Sequence, residues 1–599
     1  IKVGDHYGGD HDGYLVRVYN DGAGEFGHQT SAGGGLTTFW MIEGAYEYRV
    51  EKNGAVSPKI DFTVTYSHDY TGESGKDPIL EYKLSRVQIA VTNKQGQALP
   101  GFLVRVYNDG AGEFGHQTSN SSGMVTFWMI EGYYEYRLQK GCYDSGRRDF
   151  PDPYYPVVYS TDPSFSVKAT VTVNIHVTDS AGGDHAGYRV YLYKAGYSSH
   201  FAYQNSGPDG MTSFELDALT DYEYAVSYGR LSQRVAFSTC GNETLDYVLA
   251  KTEVTVAGGG SASYRVYVYK DGYSSHFAYQ NVAAGGTATF YLVDGAYEYA
   301  ITYGRTSQRV DFTITRDTSS APTTVTANDL AMIYDLAEVK VKVVDRKNKP
   351  LSGFRVYMYK DGYGSHFTYQ NTPTSGEVSF YLVDGAYEYR VTKGCYDSGR
   401  LDFTGTRDDS STPTLVVAQD VSIVHKATYN VTIKISDNDG VGHKSYLVRV
   451  YNTGGGQIAY QWSNSNGLTS FDLDALGSYE FLVEKNGARS AKYPISTQLC
   501  GAASLEYNLA EVVVKVSDNA DGAHKSYLVR VYNDGSGQWG YRWSNASGES
   551  TFYLIEGAYE FLVEKNGAKS AKYDFTVDPP SGGPSGSADD QNLRYNLAK

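Results

Sequence analysis

Four kinds of side chain in this 599-residue chain could do chemistry: recurring glutamates, clustered aspartates, recurring histidines and four cysteines. Glu47, Glu135, Glu223, Glu298, Glu388, Glu480 and Glu560 each stand between two aromatic residues in a Tyr-Glu-Tyr or Tyr-Glu-Phe step. General acid–base work needs a second positioned group beside the carboxylate. In the sequence each glutamate is alone on an outward position, where cross-strand pairing with Arg17, Arg105, Arg449 or Arg530 is its expected role. The aspartates gather in Gly-rich turns: Asp5, Asp10 and Asp12, then Asp437 and Asp439, then Asp518 and Asp521. Carboxylates crowded on a loop suit a hard cation, so calcium is the ion these turns would hold, and a solvated hairpin is the alternative. Their spacing is not that of an EF-hand loop. His200, His276 and His366 share one position, Ser-His-Phe-x-Tyr-Gln, and His28 and His116 another, with no second His or Cys at metal-ligand spacing. No nucleophile elbow, P-loop, zinc motif or dinucleotide fingerprint occurs, and the chain is not expected to be an enzyme.

These residues sit in a repeat. Gly44-Ala-Tyr46-Glu-Tyr48-Arg-Val50 returns in variants at Tyr134, Tyr222, Tyr297, Tyr387, Tyr479 and Tyr559. A period of roughly 85 residues exceeds helical solenoids and propeller blades and matches a small self-sufficient β-domain. Inside each copy apolar and polar residues alternate with period two, as in Tyr14-Leu-Val16-Arg-Val18-Tyr19, which marks half-buried strands. Between them lie turn formers such as Asn20-Asp-Gly22, Ser121-Ser-Gly123 and Asn53-Gly54. The expected fold is all-β, a tandem array of seven sandwiches of about seven strands each. Their expected bounds are 1–84, 85–169, 170–251, 252–336, 337–427, 428–510 and 511–599.

Three segments carry a family resemblance: Val343-Val-Asp345-Arg-Lys-Asn-Lys-Pro350-Leu-Ser-Gly353-Phe-Arg-Val356, Gly376-Glu-Val-Ser-Phe380 and Gly385-Ala-Tyr387-Glu-Tyr389-Arg-Val391. On these the copies resemble the immunoglobulin-like and prealbumin-like sandwiches of microbial surface proteins, including carboxypeptidase-regulatory-like and Cna-B-like repeats. The resemblance implies a surface protein. Cna-B-like domains often carry a Lys to Asn isopeptide crosslink, but the matching first strand here has Lys342 and Lys515 in two copies and Thr255 and His176 in others.

A second, longer period is superimposed. Copies two and five share Lys140-Gly-Cys142-Tyr-Asp-Ser-Gly-Arg147 and Lys393-Gly-Cys395-Tyr-Asp-Ser-Gly-Arg400, whereas copies three and six share Asp217-Ala-Leu219 and Asp474-Ala-Leu476 and hold Cys240 and Cys500. Four cysteines allow three connectivities, and only Cys142 with Cys240 and Cys395 with Cys500 treats both halves alike and joins adjacent domains. Four free buried thiols are the alternative.

Closing strands such as Leu80-Glu-Tyr82-Lys-Leu84 and Leu505-Glu-Tyr507-Asn-Leu509 run into the next opening strand with no Gly/Ser linker, which predicts a stiff rod. The Pro- and Gly-rich stretches at Asp578–Pro584 and Thr318–Thr324 precede closing strands and read as intradomain flaps. The first strand, Ile1-Lys-Val3, and the last, Leu593–Lys599, each look like half a junction, which suggests head-to-tail self-association, or a window of a longer chain. A net charge of -16 opposes binding to nucleic acid and anionic membranes, and no apolar run could span a bilayer. Cystines point to an oxidising exterior, and Asn120, Asn242, Asn430 and Asn545 lie in glycosylation sequons. Alternation turns Tyr191, Tyr193, Tyr267, Tyr269, Tyr357 and Tyr359 outward, where amphipathic rings suit lateral packing or sugar stacking. The expected function is that of an extracellular or cell-surface structural protein, a subunit of a fibre, stalk or appendage that associates with itself. The alternative is a multivalent adhesin that binds glycans or a host protein.

Overall fold

The computed structural model describes residues 1–65, 79–151, 162–317, 323–496 and 498–598, which form strands and turns with no helix. Residues 318–322 of the flap at Thr318–Thr324, and Lys599, lie outside the described residues.

Each repeat folds as two facing sheets. In the sixth, Leu447–Asn452 pairs antiparallel with both Gln457–Trp462 and Tyr479–Lys485, and Tyr493–Ser496 adds to the far side. Opposite lies Thr428–Asp437, antiparallel to Leu468–Asp474 and parallel to the first half of Ala503–Asp518. Alternation does the sorting: Val448, Val450, Phe481 and Val483 point between the sheets and are wholly buried, while Arg449 and Glu480 point out. Seven sheets of the first kind, each built on a Tyr-Glu-aromatic strand, are present among the described residues.

One pairing fixes the overall path. In every repeat the opening and closing strands lie side by side and parallel, from Lys2–Asp5 on Glu81–Leu84 to Val512–Asp518 on Gln591–Leu597. Parallel neighbours run the same way, so the chain enters a sandwich at one end and leaves at the other. The exit strand then becomes the next entry strand. Glu81–Thr92, Glu243–Ala257 and Ala503–Asp518 cross their junctions without a break, through the expected boundaries at 84, 251 and 510. At the other three junctions one residue, Ala169, Leu336 or Ala427, separates two strands.

The flaps are not confined to their own sandwiches. Thr324–Thr326 of repeat 4 pairs parallel with Asp246–Val248 of repeat 3, and Leu415–Val417 of repeat 5 pairs with Ile333–Asp335 of repeat 4. In repeat 7 the carbonyl of Pro584 accepts a 2.9 Å hydrogen bond from the Asn508 amide. A closing strand at a sheet edge leaves a row of unpaired amides, and the next repeat's flap satisfies them.

Candidate interaction surfaces

Two junction types occur along the chain. In the first, joining repeats 1 and 2, 3 and 4, 4 and 5, and 6 and 7, a residue after the middle strand of the later repeat plugs the earlier one. Ile130, Val293, Val383 and Ile555 are fully buried. Val293 belongs to the core of repeats 1–3, and Ile555 to the core of repeat 6 rather than its own. The tyrosine four residues on holds the plug loop, with Tyr297 Oη donating to the Val293 carbonyl at 3.0 Å and Tyr559 Oη to that of Ile555 at 2.7 Å.

Polar contacts fix the plug's register. Tyr14, Tyr188, Tyr264 and Tyr446 of the earlier repeat donate their hydroxyls to the carbonyls of Trp128, Tyr291, Tyr381 and Tyr553 at 2.6–3.0 Å. Beside three of the plugs an acid reaches back: Asp294 accepts from Tyr247 Oη at 2.5 Å, Asp384 from Tyr334 Oη, and Glu556 from Tyr507 Oη at 3.3 Å. Burial and the adjacent carboxylate hold the Tyr247 and Tyr334 phenols far above the usual range, so they stay donors. Where Arg replaces the usual Lys-Asn turn, it crosses to the next repeat, and a Cβ on Gly295 would meet Arg230 Nε at a clashing distance. Gly295 also has a φ of 142°, so glycine is required twice over.

The second type joins repeats 2 and 3 and repeats 5 and 6. Here the plug is replaced by Asp217-Ala-Leu219 or Asp474-Ala-Leu476, and the structure pairs Cys142 with Cys240 and Cys395 with Cys500, at Cα separations of 5.3 and 5.2 Å. Asp217 and Asp474 accept 2.6 Å hydrogen bonds from the amides of Lys94 and Arg346 in the preceding repeat. Beside the second cystine, His425 lies buried with Nε2 2.9 Å from Tyr396 Oη and Nδ1 3.3 Å from Tyr389 Oη.

The aspartate turns are used locally. Asp5 Oδ1 accepts from the amides of Tyr7 and Gly9 at 2.8 Å, and Oδ2 lies 2.8 Å from His11 Nε2. Asp437 does the same with Asp439, Val441 and His443, and Asp518 with Ala520, Gly522 and His524. Asp10 pairs with Lys2, Asp12 accepts from the Gly35 amide, and Asp521 pairs with Arg594. The structure does not bring these seven carboxylates together. Instead two of these oriented histidines meet the next repeat: His11 lies 4.7 Å from the Trp128 ring, and His443 4.0 Å from that of Tyr553.

The recurring glutamates are not alone, and their partners differ from those expected. Glu298 takes Arg309 at 2.7 Å, Glu223 takes Arg234 at 3.0 Å and Glu47 takes Lys59 at 2.7 Å, each a cation one strand further on. Arg17 instead holds Glu25 and Glu51, and Arg530 holds Glu564. Register explains this, since the Tyr-Glu strand pairs with the later strand as well as with the Arg strand. Glu135, Glu298, Glu388 and Glu560 also each share a three-carboxylate group, such as Asp271, Glu298 and Asp311.

The same cations correct the reading of the outward tyrosines. Tyr193, Tyr269 and Tyr359 lie on the outer face but are only 4–8% exposed, because Arg234, Arg309 and Arg400 lie across them at 3.7–4.1 Å. Arg309 also donates to the loop carbonyls of Tyr273 and Ser274, at 2.6 and 2.9 Å, so one side chain ties ring, strand and loop. Tyr191, Tyr267 and Tyr357 are half-buried. The open rings are on the edge strand, where Tyr203, Tyr279 and Tyr369 are 49–56% exposed. Tyr267, His276 and Tyr279 cluster there with ring centroids 4.6–6.0 Å apart and Arg265 4.9 Å from the outer ring. The Ser-His-Phe-x-Tyr-Gln motif was their sequence signal. Repeats 6 and 7 expose Tyr460 and Trp462, and Tyr541 and Trp543, on the same strand.

The plug and cystine surfaces join one sandwich to the next. No family model and no curated protein matches the chain. Among solved structures it is similar to the Bacillus anthracis TIE protein over 68% of this chain and 75% of that one, at 11% identity and a TM-score of 0.18. It is similar to BcpA, the major pilin subunit of Bacillus cereus, over 44% and 99%, at 10% and 0.14. For the shaft pilin SpaA of Lactobacillus rhamnosus GG the shares are 28% and 96%, at 12% and 0.14. TM-scores this low give the likenesses no weight in the functional argument.

Proposed function

We propose that the chain is an extracellular structural rod, a subunit of a fibre, stalk or cell-surface appendage that associates with itself head-to-tail, with lateral contacts through its aromatic edge strands. The observation that carries this reading is the junction. Strands pass from sandwich to sandwich unbroken or with a single intervening residue, flaps lap back, and side chains of one repeat complete the core of its neighbour. A joint that bent would expose those plugs and break backbone pairing, so the array is stiff where a tether would be a coil. Two cystines between repeats fit an oxidising exterior. No helix among the described residues is long and apolar enough to cross a membrane.

Electron microscopy of the native, unreduced protein tests this. Straight rods of uniform length, alone or end to end, are expected, and particles bent at many angles between beads would refute it. The exposed aromatic clusters of repeats 3–5 favour a second reading, a multivalent adhesin, since an open ring flanked by Arg suits a sugar face or a protein loop. Single rods that light up a glycan array would select it.

A further inference from the structure

Repeat 1 and repeat 7 each present one uncovered half of a plug junction, and the halves match. On repeat 1, Trp40 is 88% and Ile42 78% exposed, whereas in repeat 2 the counterpart of Trp40, Trp128, is half-buried and that of Ile42, Ile130, is 0% exposed. Phe26 is 39% exposed against 5% for its counterpart Phe114. One hydrogen bond of the internal plug loop is already in place, because Tyr46 Oη donates to the Ile42 carbonyl at 3.0 Å, just as Tyr134 Oη does to that of Ile130 at 2.8 Å. Glu43, next to the plug, is exposed where Asp294, Asp384 and Glu556 are buried acceptors.

Repeat 7 carries the receiving half. Its His524 is held by Asp518 at 3.2 Å, as His11 is held by Asp5. Lys565 lies 4.0 Å over the Tyr527 ring, as Lys52 lies 3.8 Å over Tyr14 and Lys485 3.8 Å over Tyr446. Asn566 has a φ of 47°, against 46° for Asn53 and 48° for Asn486. In the junctions of repeats 1–2 and 6–7 that asparagine is a staple: Asn53 Nδ2 donates to the Phe114 carbonyl at 2.6 Å and Asn108 Nδ2 returns to the Asn53 carbonyl at 2.7 Å, and Asn486, Trp539 and Asn533 repeat the pattern. Repeat 1 offers the matching pair, Phe26 and Asn20. The covering is what repeat 7 lacks: Tyr527 and Tyr595 are half-buried, while Tyr14 and Tyr82 are 2% and 1% exposed.

We infer that repeat 1 of a second copy of this chain docks on repeat 7 and rebuilds the junction that joins repeats 1 and 2. Ile42 plugs the core beside Tyr595 and Leu597, the Trp40 carbonyl accepts from Tyr527 Oη, Trp40 meets His524, and the Asn566 staple closes on Phe26 and Asn20. The contact is heterologous and in line with the strands, so it propagates without closing. Where repeats 2 and 5 have Lys-Gly-Cys, repeat 7 has Lys565-Asn566-Gly567, so this joint is of the plug type and holds no cystine.

This rests on the self-association reading, and directional capping separates the two. Ile42→Glu spoils the plug face, at a position outside the cores, and Tyr527→Ala the receiving face, at the margin of the repeat 7 core, with circular dichroism as the check on folding. Sedimentation and electron microscopy should show wild type growing into long filaments with concentration and each variant alone remaining as single rods. Their equimolar mixture should stop at two-chain rods, since each variant keeps one sound face. Variants that polymerise like wild type would overturn the inference and leave self-association through another surface standing. Wild-type protein that stays as single rods at the highest concentration would overturn both.

Discussion

His425 gives the joint between repeats 5 and 6 an acid limit. It is 7% exposed, and burial lowers its pKa from 6.5 to about 4, while its ring nitrogens face only the neutral hydroxyls of Tyr396 and Tyr389 among their hydrogen-bond partners. The unfolded chain protonates this histidine near pH 6.5 and the folded chain does not until about pH 4. Stability is therefore full above pH 6.5, declines as pH falls, and stops declining below about 4, where both states carry the proton. At about 1.4 kcal/mol per pH unit the loss comes to about 3 kcal/mol across that window. Repeat 2 holds Val167 at the corresponding position, so His425→Val is the control. The variant loses one hydrogen-bond acceptor and one N–H donor that face the two hydroxyls, an offset that does not vary with pH over this range. Hydrogen exchange of peptides covering 421–437, corrected for the intrinsic pH dependence of exchange, reads the joint locally. Protection in the wild type should fall by about two orders of magnitude more than in the variant between pH 6.5 and 4, following the same conversion. Equal losses in the two proteins would refute the reasoning.

Three further outcomes follow from the same geometry. Ile555→Ala removes a plug, and a buried Ile→Ala change costs about 2–5 kcal/mol. The loss should appear in the urea unfolding of repeat 6, whose core Ile555 completes, and a loss confined to repeat 7 would contradict the assignment. Reducing and alkylating the cystines opens crosslinks spanning 98 and 105 residues, for which loop entropy gives up to about 4.7 kcal/mol each. The thermal midpoints of repeats 3 and 6 should fall while repeat 1 is unchanged, and a uniform shift of the whole chain would count against it. A chelator, or added calcium, should leave the thermal midpoint where it is, because Asp5, Asp437 and Asp518 already accept from backbone amides and a histidine. A clear rise with calcium would reverse that.

Period-two alternation made the strands legible, and the matching Lys-Gly-Cys and Asp-Ala-Leu segments made the long period legible. Alternation tells which way a side chain points from the sheet but not what lies over it. That is why Tyr269 reads as an open ring, when Arg309, forty residues on, covers it. Register had the same effect on Glu298, which has a neighbour strand on each side, and nothing local says which one supplies the cation. The plugs were hidden for a different reason. Ile555 and Val293 look like ordinary apolar residues at a strand end, and only the three-dimensional path shows that they serve another repeat's core. The Asp-x5-His turns carried a visible pattern, but oxygen-rich loops and capped turns are written with the same residues.

The parallel pairing of opening and closing strands has a mechanical meaning. Tension on the array pulls each sandwich by its opening strand at one end and its closing strand at the other. Because Val512–Asp518 and Gln591–Leu597 run side by side in the same direction, that pull slides one along the other instead of peeling them apart. The backbone bonds across seven paired positions then yield together, in shear, not one at a time. With the same clamp in every repeat and strands continuing from one clamp to the next, load passes down a line of peptide backbone from end to end, and the turns and aromatic edges carry none of it.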